Sequence, residues 1–67
     1  MKFKELDVVR TIKPFLNENI NEGEIGTIVM VYTEPNEAYE VEFVNDDGST
    51  KAMFAILPED IELFTDK

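Results

Sequence analysis

The sequence contains no cysteine and no histidine. Thiolate and imidazole zinc sites, thiol catalysis and imidazole proton transfer are all excluded with them. A chain of 67 residues is of the size that often relies on a disulfide or a structural metal. Neither is available here in its usual form, so the fold rests on apolar packing and strand pairing. Tryptophan is absent, and glycine and proline occur three times each. Bases are scarce: six Lys and Arg stand against fifteen Asp and Glu, a formal charge of −9. So dense a negative field steers cationic surfaces and repels polyanions. Free nucleic acid is disfavoured as a partner, because its binding is driven by neutralising phosphates with Lys and Arg. Long apolar runs are missing too. The run from Ile28 to Tyr32 is far too short to cross a bilayer. No apolar stretch precedes Glu5 and Asp7, so "MKFKELDVV" does not read as a signal peptide. The expectation is one cytoplasmic domain, residues 1–67, with an ordered core over about 4–64 and a disordered "TDK" tail.

What remains is rich in strand formers. "LDVVRTI" (Leu6–Ile12) is β-branched and ends at Lys13–Pro14, where proline cannot donate to a ladder. "KPFLNENINEGE" follows, polar and rich in Asn, and reads as a long loop pinned by Phe15, Leu16 and Ile20. "GTIVMVY" (Gly26–Tyr32) is a central strand, apolar on both faces as in a small closed barrel. "TEPNEA" turns the chain. "YEVEFV" then alternates, with Tyr39, Val41 and Phe43 on one face and Glu40 and Glu42 on the other. "NDDGS" is the strongest hairpin signal, and "TKAMFAI" (Thr50–Ile56) returns. "LPED" forms one tight turn before the short strand "IELF".

Packing selects the hairpin register. With Asp47–Gly48 as the central turn pair, Phe43 faces Ala52, Val41 faces Phe54 and Tyr39 faces Ile56, so every large apolar group shares one face. A three-residue loop sets Phe54 opposite Glu40 and reverses that face. The even loop is expected, with Gly48 at positive φ. The architecture that follows is all-β: a five-stranded SH3-like barrel with a long first loop, a tight Asp–Gly hairpin and a one-turn 3-10 break before the last strand. Its expected structural residues are Gly23, Gly26, Gly48, Tyr39, Val41, Phe43, Phe54 and Ile56.

Gly23 and Gly26 bracket the entry to the second strand, where glycine supplies positive φ or close backbone approach. A phosphate cradle needs a following helix and a lysine. Here a strand follows, and Glu22 and Glu24 flank the pair. Asp46–Asp47 and Glu59–Asp60 read as turn chemistry rather than cation ligands or an acid pair for catalysis. Neither a cofactor nor a metal site is expected, nor a small-molecule ligand or a membrane association. Glu34, Glu37, Glu40 and Glu42 gather on one strand and the turn that feeds it, and form the candidate contact surface for a basic protein partner.

"EGEIGTIVMV" is similar to the KOW pattern, in which a loop glycine and a strand-opening glycine precede alternating apolar residues in an SH3-like barrel. KOW modules bind RNA or polymerase with basic surfaces, whereas Glu22, Glu24 and Glu34 surround the motif here. SH3 domains for proline-rich peptides carry an "ALYDY"-like segment and a groove tryptophan; this chain has "LDVVR" and no tryptophan. "LDVVR", "GEIGTIVMVY", "AYEVEFVNDDG" and "LPEDIELF" together resemble the short bacterial proteins of the domain of unknown function 4926 family, from Leu6 to Phe64. The resemblance implies a standalone β-barrel with no catalytic residue or cofactor. It also implies membership of small paired loci, as an antidote or accessory to a partner. The expected function is therefore a non-catalytic protein-binding module. The alternative is a KOW-like barrel in a ribonucleoprotein or transcription complex, or a mimic of nucleic-acid charge.

Overall fold

Alternation of apolar and polar residues writes most of the strands. In the computed structural model, which describes residues 2–65, they are β1 (Val8–Thr11), β2 (Ile25–Tyr32), β3 (Ala38–Val44), β4 (Thr50–Ile56) and β5 (Ile61–Leu63). Single 3-10 turns occupy Leu16–Glu18 and Pro58–Asp60. The second is the break expected from "LPED", with proline at its start. All strand pairs are antiparallel, in the order β4-β3-β2-β1-β5. The fold is all-β, as expected. The sheet is open: β4 and β5 stand at its two ends and no ladder joins them to close a barrel.

One side of this coiled sheet carries the core: Val9 from β1, Ile28 from β2, Tyr39, Val41 and Phe43 from β3, Ile56 from β4 and Ile61 from β5. Phe3 and Ile20 complete it. Phe3 lies outside the expected ordered core, yet it is buried and meets the Tyr39 ring edge-on at 5.3 Å. Phe54, expected in the core, is only half-buried at its rim. It stacks on Phe43 at 5.7 Å and meets Phe15 edge-on at 5.2 Å. Its strand is terminal, so nothing covers its far flank with a further strand.

The long loop is pinned by fewer side chains than expected. Ile20 is buried and Phe15 half-buried, but Leu16 is 82% exposed. Phe15 and Ile20 exchange both backbone hydrogen bonds, at 2.8 and 3.1 Å. That closes a small ring whose tip is the 3-10 turn, and the tip turns Leu16 to solvent. Thr11 anchors the other end of the loop. Its buried hydroxyl donates to the Asn21 carbonyl (2.9 Å) and accepts from the Glu24 N–H (3.1 Å).

Register across the β3–β4 hairpin matches the expectation: Phe43 opposite Ala52, Val41 opposite Phe54, Tyr39 opposite Ile56. The route to it differs. Gly48 N–H donates to Asn45 O, and Asn45 N–H donates to Ser49 O, so the loop is the odd, three-residue one, Asp46 to Gly48. Asp46 and Asp47 are its central pair, and Gly48 (φ +90°) follows them. Val44 then faces Thr50, and a bulge before the Phe43–Ala52 pair leaves Lys51 unopposed. That extra residue restores the face that an odd loop would have reversed. The expected disordered tail falls outside the described residues for Asp66 and Lys67.

Candidate functional site

A second bulge, in β2 between Ile28 and Met30, decides what the other side of the sheet presents. Before it, Thr27 pairs with Glu42; after it, Met30 pairs with Glu40. On the β4 side, Met53 lies opposite Glu42 and Ala55 opposite Glu40. Two rows therefore cross the outer face, Thr27–Glu42–Met53 and Met30–Glu40–Ala55. Glu40 and Glu42 sit about 7 Å apart along the β3 backbone, the spacing of alternate strand residues.

β2 is apolar on both faces, as its sequence shows, but only one face is covered. Ile25, Val29 and Met30 are exposed, and so are Val44 and Met53 around them. Met30 and Met53 each keep about half their surface in water, 49% and 52%. A half-solvated antiparallel sheet ordinarily turns polar side chains outward. This one turns outward an apolar field with two acids at its centre.

Both acids are held by hydroxyls. Tyr32 donates to Glu40 Oε1 (3.0 Å), and Thr50 donates to Glu42 Oε2 (2.7 Å). The hydrogen bond to Glu40, followed by partial burial, pushes the Tyr32 hydroxyl above its ordinary pKa. Tyr32 thus stays a donor at neutral pH. The cations are engaged elsewhere: Lys4 with Asp7, Arg10 with Glu62, Lys13 with Asp60 and Lys51 with Glu24. Among the described residues, no cation forms an ion pair with Glu40 or Glu42.

The other two members of the expected strip part company with them. Glu37 turns to the N-terminal segment, where it accepts from the Tyr39 hydroxyl and from the Lys2 N–H. Those bonds, with Tyr39 the larger contributor, hold its carboxyl below the usual range. The same buried Tyr39 oxygen accepts from the N–H of Phe3 at 3.0 Å, so Glu37 orders the core rather than the surface. Glu34 is exposed in the β2–β3 turn, beside a cis bond to Pro35.

Gly23 and Gly26 divide the two roles that glycine offers. Gly23 has φ +88° with open space around it. A Cβ on Gly26 would lie 2.6 Å from Val41 Cγ1 and 3.0 Å from the Glu42 carbonyl. Glu24 is bound to Lys51 and to the Asn21 N–H (2.9 Å), an arrangement that closes the loop. Asp47 accepts from the Ser49 N–H and hydroxyl, the turn chemistry its position implied. Among the described residues no group of three or more acids converges as a metal site, and no helix is long and apolar enough to cross a membrane.

Two open clefts flank the sheet, one of about 530 Å³ beside Glu24, Lys51 and Asp47 and one of about 450 Å³ beside Arg10, Gly23 and Glu62. In each, the bases present are already ion-paired. The alternation of β3 placed Glu40 and Glu42 on the outer face, but the sequence reading did not single out the methionines beside them. The signal was present: the hairpin register alone puts Met53 beside Glu42, on the outward side.

The family model Domain of unknown function (DUF4926) covers residues 5–63. No curated protein and no solved structure matches the chain.

Proposed function

The chain belongs to the DUF4926 family, and on that premise we propose that it is a small non-catalytic module that binds a basic protein through the outer face of β2, β3 and β4. The observation that carries this reading is Glu40 and Glu42: two carboxylates oriented by hydroxyls, free of ion pairs among the described residues, and surrounded by exposed Met30, Met53, Val44 and Ile25. Charge steers the encounter, and the apolar field supplies area once the partner has arrived. Methionine suits such a surface, because its unbranched side chain adapts to the shape of what covers it. Neighbouring exposed apolar side chains rimmed by polar groups are a feature of interaction surfaces.

The fold reading belongs with this proposal. The strand order, the bulge in β2 and the 3-10 turn before β5 support an SH3-like barrel left open between β4 and β5. The biological reading is that of a cytoplasmic bacterial protein, the antidote or accessory member of a gene pair, with the basic partner encoded beside it.

The test is reversal of Glu40 and Glu42 to Lys. Both side chains leave the sheet on its outer side, so the double variant folds. Association with a partner isolated on the wild-type protein is expected to slow at low salt, with the difference shrinking as salt screens the field. Wild-type association rates at both salts would overturn the proposal.

A further inference from the structure

β4 ends the sheet with one edge unpaired by any strand. Ile28 accepts from the Leu6 N–H (2.8 Å) and donates to the Asp7 carbonyl (2.9 Å), so both its backbone groups face β1. In an antiparallel sheet a residue's N–H and C=O point to one side, and its neighbours' point to the other. Val41, opposite Ile28, therefore turns to β4, where it meets Phe54. Met53 and Ala55, on either side of Phe54, aim their N–H and C=O groups away from the sheet. β4 is terminal, and among the described residues no loop or turn backbone is hydrogen-bonded to Met53 or Ala55. The usual protections of an edge are sparse around Met53 and Ala55: β4 has no proline, its one charge, Lys51, is paired with Glu24, and its bulge lies at Lys51, before this stretch.

We propose that an extended, basic segment of the partner pairs with this edge, its alternate lysines or arginines opposite Met53 and Ala55. This rests on the reading of Glu40 and Glu42 as the contact acids. Ala55 lies between the edge and Glu40. A long basic side chain on the added strand passes over the Ala55 methyl to reach that carboxylate. The intervening residues of the added strand fall on the core side, where Phe54 is left half-covered. Apolar residues there extend the core layer over its ring. The occupant is thus a strand with basic and apolar residues in alternation. A second copy of this chain is the wrong occupant, because each copy carries −9 and β4 offers no basic residue beyond the engaged Lys51.

The probe is an end-blocked peptide of about eight residues in which Lys and Val alternate, a length that matches the edge. Amide exchange in the whole protein is read by NMR. Without peptide, the Met53 and Ala55 amides exchange freely; with saturating peptide they slow roughly tenfold or more, as newly bonded strand amides do. Glu40→Gln and Glu42→Gln each weaken the peptide up to roughly fivefold at low salt, the range of an exposed ion pair. N-methylation at the lysine positions abolishes binding, since those residues pair with Met53 and Ala55, whereas N-methylation at the valines does not.

Binding that perturbs Met30 and Glu40 but leaves Met53 and Ala55 exchange unchanged overturns edge pairing while keeping the acidic face. Slowed exchange indifferent to both glutamine variants overturns the acidic reading and, with it, the choice of a basic occupant. Protection that appears without peptide and grows with protein concentration overturns the proposal in favour of self-pairing. Failure of the peptide to bind overturns it outright.

Discussion

A methyl group added at Gly26 meets two core side chains and a backbone oxygen, and the oxygen cannot move aside without disturbing β3. The same methyl at Gly23 meets nothing, and its penalty comes only from φ +88°. Gly26→Ala is therefore expected to cost about 2–3 kcal/mol as overpacking, and Gly23→Ala about 1 kcal/mol as left-handed strain. Urea midpoints of the two variants check the order. Phenylalanine burial makes a similar contrast. Phe43 is 1% exposed, so Phe43→Ala falls in the range of about 3–5 kcal/mol for a buried aromatic. Phe54 keeps an open flank, and Phe54→Ala is expected at about 2 kcal/mol. Equal midpoints for the pair would mean that β4 is covered in solution. At this scale the sequence was legible where a side chain's partner was near in the chain or set by register. It was not legible at Phe3 or Thr11, whose partners, Tyr39 for the one and the Asn21–Glu24 loop end for the other, are fixed by how the loops return.

The β3–β4 hairpin shows what an element can conceal. Its side-chain register follows from the demand that large apolar groups share a face, and that demand was readable. The loop length was not, because an odd loop with one bulge and an even loop with none satisfy the demand equally. Here the odd loop carries Gly48 at positive φ and Lys51 as the compensating residue. Deleting Lys51 removes the compensation and drives Ala52, Phe54 and Ile56 toward the outer face. The deletion variant is expected to be largely unfolded at 25 °C, as shown by loss of its near-ultraviolet circular dichroism. A folded deletion variant of near-normal stability would mean that the loop adjusts to the even form. Gly48→Val is expected to destabilise more than Val at Ser49, because only the former must hold a β-branched residue at φ +90°. β2 makes the complementary case: its apolar run reads as burial on both sides, yet one side faces water because the open sheet has no second layer there.

Charge acts on the molecule as a whole. Glu37, Glu24, Asp7 and Asp47 all have carboxyl pKa values lowered by hydrogen bonds. A carboxylate with a lowered folded pKa stabilises the protein above its unfolded value and loses that contribution as pH falls through the folded one. For Glu37 the loss begins as pH drops below about 4.3, the ordinary glutamate value. Protonation of the unpaired acids works in the opposite direction, by relieving repulsion in a chain of charge −9. The difference between wild type and Glu37→Gln isolates the one effect from the other. Wild type is expected to be the more stable at neutral pH, with the gap in urea midpoint narrowing as pH falls below the ordinary glutamate range and through the lowered folded-state value. A gap that stays constant would mean that Glu37 acts through shape alone.

The sequence by itself determined the strands, their antiparallel hairpin register, the inward face of β3 and β4, the glycine roles and the sign of the charge. These are properties of period, propensity and composition, which are local or additive along the chain. Tertiary structure decided whether the sheet closes, which acids keep their charge unpaired and which apolar residues stay wet. Glu37 and Glu40 look alike in sequence, three residues apart. The return of the N-terminal segment brings the Lys2 N–H to Glu37, which its neighbour Tyr39 also holds, while the bulge at Val29 places Met30 and Tyr32 beside Glu40. Such choices depend on contacts between residues far apart in the chain, and no local pattern carries them.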